Sequence, residues 1–282
     1  MRQKSVDLRK IVSTHLERSS KKLDLQLKQL KDTEKRDKYK VYGELLNTYG
    51  YQVTEGAKSV EVPNYYTGEM LTIPLDETLS PLDNAKKYFA RYNKLKRTFE
   101  ALNTQTEETR TEMAHLQTIQ AALAIAESED DLAQIRDELE TYGYIRRKMN
   151  GKKKQKSKSK PFHYRSSDGF DIYVGKNNFQ NDELTFKVAN GNDWWFHAKG
   201  MPGSHVIVKT EGRELPDRTF EEAGRLAGYY SSGRDNEKIE IDYLQRKNVK
   251  KPNGAVAGYV IYYTNYSLTI HPDISGIEKI SE

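Results

Sequence analysis

Residues 193–208 read DWWFHAKGMPGSHVIV, and this stretch indicates how the C-terminal part of the chain folds. Its two ends, Trp194–Ala198 and His205–Lys209, are rich in the aromatic and β-branched residues that β-strands favour. The Gly-Met-Pro-Gly sequence between them contains the residues that turns require. The stretch therefore predicts two strands joined by a short loop, and its composition is too specialised for generic core.

Around this stretch, residues 162–282 show the alternation of apolar and polar positions that is typical of strands. The further predicted strands are Phe170–Val174, Ile239–Leu244, Gly258–Tyr263 and Ser267–Ile270. Helical spacing interrupts them at Asn178–Val188 and at Thr219–Ser231. About 120 residues can form a core of their own, so we predict an α+β domain here.

A different periodicity organises residues 1–150. Between Ala85 and Leu123, the predicted seam positions, which include Gln120, follow one another in steps of three and four residues. This spacing is the 3.5-residue repeat of a coiled-coil strand. An earlier helical segment, Val6–Tyr49, has nearly the same length and carries leucines, including Leu27, at mostly compatible spacing. We therefore predict a long antiparallel helical coiled-coil hairpin.

Residues 50–83, between the two helices, interrupt the helical pattern with repeated glycine and proline. The sequences SVEVP and MLTIP alternate as short strands do, so we predict a small β cap at the tip of the hairpin. Ser80-Pro81 predicts the start of the second helix. Ser128 followed by Asp131 predicts a capping arrangement that opens a third helix, Glu129–Met149.

The whole chain has 282 residues, no cysteine and a formal net charge of +5. The absence of cysteine excludes disulfides, thiolate metal sites and cysteine nucleophiles. Since no run approaches about 18 apolar residues, we expect no membrane span and no signal peptide. Six lysines lie in Gly151–Pro161, GKKKQKSKSKP, which we predict to be a solvated linker that could also hold phosphates.

Positive charge is sparse in residues 162–282, so a contact with RNA phosphates would have to be local. The best basic loop precedes Pro252, and the end of the FDIYVG strand could extend the same surface. The candidate phosphate contacts are Arg246, Lys247, Lys250, Lys251, Lys176 and Asn177. The alternative is an ordinary surface loop, because lysines are usually exposed.

Trp195, His197 and His205 are candidate RNA contacts within the opening stretch, because such rings can stack on bases. Structural hydrogen bonding in a tight loop is the alternative. A metal site with Asp193 lacks a settled ligand spacing, and a hydrolytic role lacks a nucleophile and an oxyanion donor. We therefore predict no catalytic residue, no metal and no cofactor.

A second basic cluster lies at the start of the second long helix, beside the predicted cap. Residues 86–97 hold six basic groups and no acidic one. The candidate ribosome contacts are Lys86, Lys87, Arg91, Lys94, Lys96 and Arg97. A merely solvated charged surface is the alternative.

Several stretches together resemble the RqcH/FbpA/PavA family. They are DGFDIYVGKNNFQNDELTFKVA, DWWFHAKGMPGSHVIV, EEAGRLAGYYS and RKNVKKPNGAVAGYVIYY in the last domain, and TIPLDETLSPLDNAKKYFARYNKLKR in the coil. The resemblance implies an NFACT-R domain at 162–282 and the family's coiled-coil middle region at 1–150. We find neither the family's NFACT-N domain nor its helix-hairpin-helix domain in this sequence, so the chain looks like a C-terminal fragment.

By the same resemblance, we expect this chain to be the non-enzymatic RNA- and ribosome-binding part of a ribosome quality control factor. It would bind the obstructed large ribosomal subunit near the stalk base and recruit tRNA, so that an alanine tail marks the stalled nascent chain. Streptococcal relatives are also described as surface proteins that bind host fibronectin, which is the alternative function. We expect the cytoplasm as the location, with the bacterial surface as the alternative. The sequence leaves open whether the coil pairs within one chain or in a homodimer.

Overall fold

The computed structural model describes residues 1–146 and 159–280. The chain divides into two compact units. The coil unit is Ser19–Thr111, and the sheet unit combines Met1–Arg18 with Glu112–Glu282. The predicted domain boundaries at 150 and 161 stay a prediction.

Helices and one small hairpin occupy residues 2–141. They are α1 (Arg2–Asp32), α2 (Arg36–Tyr49), β1 (Ser59–Pro63), β2 (Met70–Pro74), α3 (Pro81–Ile125) and α4 (Glu129–Thr141). Strands and short helices follow after residue 161. They are β3 (Phe162–Arg165), β4 (Asp171–Val174), α5 (Asn178–Glu183), β5 (Trp194–Ala198), β6 (Val206–Val208), α6 (Asp217–Tyr229), β7 (Ile239–Gln245), β8 (Tyr266–Ile270) and β9 (Glu278–Lys279).

In the coil unit, α2 packs antiparallel to α3. The Arg36 guanidinium lies 4.0 Å from the centre of the Phe99 ring, and the Tyr39 ring stacks on Tyr88 at 6.0 Å. A residue later in α2 therefore contacts a residue earlier in α3. This is the antiparallel arrangement that the predicted hairpin requires. The first helical segment is two helices rather than one, because a turn separates α1 from α2.

The buried seam of the coil unit contains polar side chains. Gln26 is buried and Leu27 is 37% exposed, so the prediction that Leu27 lies in the seam was wrong. The next buried position after the half-buried Leu23 lies three residues further along the helix. That position is Gln26 and not Leu27. On α3, the buried Thr106 donates its hydroxyl to the Leu102 carbonyl, which satisfies it within the helix.

The predicted cap is present in the coil unit as the antiparallel pair β1–β2, with Ser59 opposite Pro74 and Pro63 opposite Met70. Val62 and Ile73 point into a small apolar core that also buries residues of α2 and α3. As predicted, Ser80 precedes the first residue of α3, and its hydroxyl accepts a hydrogen bond from the Asp83 backbone N–H at 3.1 Å.

In the sheet unit, the start of α1, the end of α3 and α4 share an apolar core. Ile119 is fully buried in it and Gln120 is exposed, so the predicted repeat fails at Gln120. The physical reason is that this part of α3 packs against two helices and needs a wider apolar face than a two-helix seam. Ser128 and Asp131 form the predicted capping box. However, α4 ends at Thr141, before the predicted Met149, which lies outside the described residues.

A seven-stranded antiparallel sheet in the order β8-β7-β5-β6-β4-β3-β9 forms the rest of the sheet unit. Alternate residues of β5 point to opposite faces of it. Phe196 and Ala198 join a core covered by α6. Trp195 joins a second core, which includes Leu184 and Val249. The α+β fold class is confirmed.

The structure corrects several predicted elements of the C-terminal domain. Residues 258–263 form no strand and make only an isolated bridge, between Lys250 and Ile261. The strands β3 and β9, which are neighbours in the sheet, were missed. The helix predicted at 178–188 is α-helical only to Glu183 and continues as a π-helical turn, Leu184–Val188. Of the predicted linker, residues 151–158 lie outside the described part.

Candidate nucleic-acid interface

Lys176 and Asn177 do not form an exposed basic surface, so their predicted RNA contact is not supported. The Lys176 ammonium bonds to Asp131 Oδ1 at 3.3 Å and lies 4.5 Å from the centre of the Phe162 ring. Asn177 is buried, caps α5 by accepting from the Gln180 N–H, and donates to Gln134. Both side chains instead attach the loop after β4 to α4.

Asp131 is the acidic partner in this attachment. Its burial alone would raise the pKa of the carboxyl. Hydrogen bonds from the Ser159 hydroxyl and from the backbone N–H groups of Glu127 and Ser128, together with the Lys176 charge, outweigh that effect and lower the pKa. The carboxylate is therefore held in its charged form between α4 and the sheet.

Two turns further along α4, Glu138 is completely buried. Its Oε1 accepts from Asn178 Nδ2 at 2.7 Å and lies 3.0 Å from His115 Nε2. Its Oε2 has no hydrogen-bond partner among the described residues. We call Asp131, Glu138, Lys176, Asn177 and Asn178 the clamp, because these side chains hold the sheet against α4.

Lys251 is also tied internally. Its ammonium bonds to the Asp182 carboxylate and donates to the Val256 carbonyl. The same carboxylate accepts the Gly258 backbone N–H at 2.9 Å. Gly258 has φ +78°, and a Cβ there would meet the Asn178 side chain, so only glycine fits this approach. Lys251 thus stabilises the loop rather than presenting a free charge.

The rings of Trp195 and His205 are buried, with 1% and 2% of their surface exposed. His197 is half-buried and stacks on Trp195 at 5.6 Å. Burial lowers the pKa of His197, and burial with the adjacent His197 lowers the pKa of His205 well below its usual value. Buried rings cannot stack on a base, and a neutral imidazole offers phosphate no charge. The structure therefore contradicts the predicted RNA contacts of Trp195 and His205. Of the three rings, only His197 has surface that RNA could reach.

Asp193 organises the loops on both sides of β5. Its carboxylate accepts the Asn190 N–H at 2.7 Å, the Thr210 N–H at 2.9 Å and the Lys209 ammonium at 2.5 Å. Burial would raise the pKa of Asp193, but these bonds lower it overall. The side chain is therefore a structural acceptor that joins the start of β5 to the end of β6.

Three of the predicted cations keep exposed surface at one end of β7. Lys247 and Lys250 are exposed, and no ion pair is recorded for either within residues 1–146 and 159–280. Arg246 is half-buried, donates its Nε to the Thr185 carbonyl at 2.7 Å and lies over the Phe186 ring. Lys187, next to Phe186, is exposed as well and was missed because a continuous helix was predicted there. We call Lys187, Arg246, Lys247 and Lys250 the basic edge.

All six candidate cations on α3 are exposed. Lys86 and Lys87 pair with Asp83 and Asp76, and the Arg91 guanidinium lies 4.3 Å from the centre of the Tyr39 ring. Lys87, Arg91 and Lys94 are separated by four and three residues and share one face of the helix. The coil unit therefore presents a basic helix face beside its cap.

Comparison with known families agrees with this arrangement. The NFACT N-terminal and middle domains match residues 1–158, and the NFACT protein RNA binding domain matches residues 160–262. The chain belongs to the NFACT family. The basic edge lies within the part that matches the family's RNA binding domain.

Similar proteins extend over the whole chain. The chain is 40% identical over 279 residues to "Rqc2 homolog RqcH" of Streptococcus suis, covering 99% of this chain and 50% of that protein. It is 35% identical over 286 residues to the Bacillus subtilis protein of the same name, again covering 50% of it. The chain thus spans about half the length of these curated relatives.

A solved structure is also similar. It is described as "The structure of the C-terminal of the fibronectin/fibrinogen-binding protein from Streptococcus suis (FBPS)", with a TM-score of 0.77 and 33% sequence identity. The match covers 99% of this chain and 98% of that one. In the described part of the chain, none of the helices is long and apolar enough to cross a membrane.

Proposed function

We propose that this chain is a non-enzymatic RNA-binding part of a ribosome quality control factor. The observation that carries the proposal is the basic edge: Lys247 and Lys250 are exposed and have no acceptor among the described residues, in the part that matches the family's RNA binding domain. Other cations of that domain, such as Lys176, Lys209 and Lys251, pair with carboxylates, so the exposed ones supply the phosphate contacts. Similarity to the RqcH proteins supports the ribosomal setting.

In this proposal, the basic edge contacts tRNA or ribosomal RNA, and the basic face of α3 contacts the obstructed large subunit near its stalk base. The whole protein then supports alanine tailing of the stalled nascent chain. A cytoplasmic location follows from such a partner. The chain itself supplies binding and positioning, and whether it acts as a monomer or a homodimer is open to sedimentation measurements.

Binding of this chain to tRNA and to large ribosomal subunits across a series of salt concentrations tests the proposal. The variant Lys247→Glu with Lys250→Glu should weaken binding and reduce the slope of log K against log salt by about 1.4 to 1.8. The control is Lys199→Glu with Lys238→Glu, which makes the same charge change at the opposite end of β5 and β7. Absence of RNA binding by the unaltered chain at low salt would contradict the proposal. An equal loss of RNA affinity in the two double variants would contradict it as well.

The second candidate function is a surface adhesin that binds host fibronectin. The similar Streptococcus suis structure, described as part of a fibronectin/fibrinogen-binding protein, favours it. Surface plasmon resonance with immobilised fibronectin separates the two functions. Nanomolar binding that survives high salt and the Lys247→Glu, Lys250→Glu change would support the adhesin, because electrostatic attachment to RNA weakens under both conditions.

A further inference from the structure

A pocket of about 480 Å³ opens beside the basic edge, at the corner where β5 begins and β7 ends. Its volume lies in the range of small-ligand sites, roughly 300–1,000 Å³. The walls combine aromatic, amide and charged side chains with a short loop. The lining residues that matter here are Asn192, Trp194, Arg213, Phe220 and Gln245.

The sheet register explains why these groups meet. Trp194 is directly opposite Gln245 in the β5–β7 pair, so both side chains are on the face that α6 covers. Asn192 belongs to the turn that precedes β5, and its side chain also lines the opening. Phe220, from α6, meets the Trp194 ring edge-on at 4.8 Å. Strand pairing and helix packing together therefore place an indole and two amides around one opening.

The aromatic wall is supported from behind. Trp194 also contacts the Tyr243 ring at 5.8 Å, and Tyr243 stacks on Tyr266 at 5.5 Å. This packing fixes the indole in one orientation, although Trp194 is only half-buried and stays partly accessible. A fixed, accessible indole is a surface on which a flat ring can stack.

Two amide side chains line the pocket, from Asn192 and Gln245. No hydrogen bond is recorded for the side-chain amide of Asn192 or of Gln245 within the described residues. Side-chain amides can donate and accept at once, as the edge of a base requires. Arg213 is half-exposed, lies 4.0 Å from the centre of the Phe170 ring, and is 3.8 Å from Glu211.

The loop that closes one side of the pocket is strained. Glu211 has φ +51°, the left-handed conformation that non-glycine residues rarely adopt, and Gly212 follows at φ +80°. Glu211 is the only such non-glycine residue in the described ranges 1–146 and 159–280. Strain of this kind persists where the surroundings hold it, often at ligand sites. Asp193 supplies that hold here, through its bonds to the Thr210 N–H and hydroxyl.

The basic edge continues directly from the pocket. Beyond the pair of Trp194 and Gln245, the Arg246 N–H donates to the Asp193 carbonyl at 2.8 Å, and the Lys247 N–H donates to the Gly191 carbonyl at 3.0 Å. Lys247 therefore lies two residues after Gln245, in the 3₁₀ turn Arg246–Asn248 that follows β7. A nucleotide whose base enters the pocket would bring its phosphates next to Lys247.

We infer that this pocket binds one unpaired nucleobase of RNA, stacked on Trp194 and hydrogen-bonded by Asn192 and Gln245. A purine fits best, because its larger ring gives more stacking surface. The inference rests on the proposed RNA-binding function and adds a base-reading site to the phosphate contacts. Single-stranded or flipped-out bases are the RNA elements that such sites recognise.

The test compares three hexamers with the full chain: oligoadenylate, oligouridylate and an abasic ribose-phosphate strand. Tryptophan fluorescence reports the pocket, because the chain contains only Trp194 and the buried Trp195. We expect oligoadenylate to quench this fluorescence and to bind about tenfold more tightly than the abasic strand. The quench should be lost in Trp194→Phe, which keeps a ring against Phe220.

Two surface variants separate base reading from folding. Asn192→Ala and Gln245→Ala should reduce the preference for oligoadenylate over the abasic strand, with an unchanged unfolding temperature. Equal binding of all three hexamers, unaffected by both changes but weakened by Lys247→Glu with Lys250→Glu, would overturn the pocket while leaving RNA binding intact. Absence of binding to hexamers and to tRNA at low salt would instead overturn the proposed function. Quenching by fibronectin fragments but not by RNA would also overturn the inference.

Discussion

The clamp and the basic edge both contain lysine side chains, yet those side chains have opposite environments. In the clamp, Asn178 is buried and bonds to Glu138 at 2.7 Å, and Lys176 is half-buried and bonds to Asp131 at 3.3 Å. At the basic edge, Lys247 and Lys250 are exposed. The difference lies in the acceptors that the fold brings to each side chain.

This contrast separates structural polarity from polarity that is available to a ligand. A buried polar group costs free energy unless it is paired, so clamp residues must bond to one another for the sheet to hold α4. An exposed lysine can bind an outside phosphate without losing an internal partner. Substitutions in the clamp should therefore change stability, and substitutions at the basic edge should change RNA binding.

The largest effect is expected for Glu138→Ala. It leaves the buried Asn178 amide without one acceptor and His115 without its carboxylate partner, and we expect a loss of about 3 kcal/mol in the free energy of unfolding. Urea unfolding measures it. Arg136→Ala, at an exposed position of α4, is the matched control. Equal midpoints for the two variants would show that the clamp contributes little to stability.

A smaller loss is expected for Gly258→Ala. The φ of +78° alone costs a residue with a Cβ about 1–2 kcal/mol, and the new methyl group would also meet Asn178. Gly254→Ala is the control, because φ is +75° there but nothing lies within 4 Å of its Cβ position. The unfolding temperature of Gly258→Ala should therefore be lower than that of Gly254→Ala. The reverse order would mean that the Asn178 contact does not constrain this loop.

The pH dependence of stability should reveal Asp131. Because its pKa is lowered in the folded chain, its contribution is fully present above the ordinary value of about 3.9. The contribution is lost as the pH falls through the lowered folded value. From neutral to acidic pH, the free energy of unfolding should thus decline less steeply for Asp131→Asn than for the unaltered chain. The exposed Asp235→Asn is the control for net charge. Parallel curves for all three proteins would argue against a charged Asp131 in the clamp.

The smallest effect on stability is expected at the basic edge. Lys247→Gln with Lys250→Gln removes no recorded internal bond, so the unfolding temperature should not change measurably. The salt dependence of tRNA binding should nevertheless become less steep. For comparison, Lys176→Met should lower the unfolding temperature and leave that salt dependence as it is. If the two variants exchanged these effects, the assignment of clamp and edge would be reversed.

Local patterns in the sequence predicted much of the fold. Glycine and proline positions located the cap, the Ser128 and Asp131 pair located the start of α4, and the alternation in Trp194–Ala198 located the central strand. These features depend on backbone preferences over a few residues, which composition and spacing record directly. The strands β3 and β9 were missed because they contain only four and two residues, and such short strands carry little pattern.

The candidate site was predicted less well, for a physical reason. Basic residues at 246–251 were found from composition, but the sequence could not tell which of them would meet a carboxylate. Lys251 meets Asp182 across 69 positions, and Lys176 meets Asp131 across 45. The pocket was missed because its amides come from distant positions, Asn192 from the turn before β5 and Gln245 from the end of β7, and both look ordinary in sequence.

The sequence by itself determined the α+β class, the coiled-coil repeat and the position of the main basic loop, because each of these is encoded in local composition or periodicity. The family followed from the resemblance of its motifs to those of known proteins. Only the tertiary structure decided that Trp195 and His205 are buried, that Lys176 and Lys251 are neutralised, and that Trp194 faces an open pocket. Burial and charge pairing depend on contacts between residues far apart in the chain, and those contacts exist only after the sheet has closed against its helices.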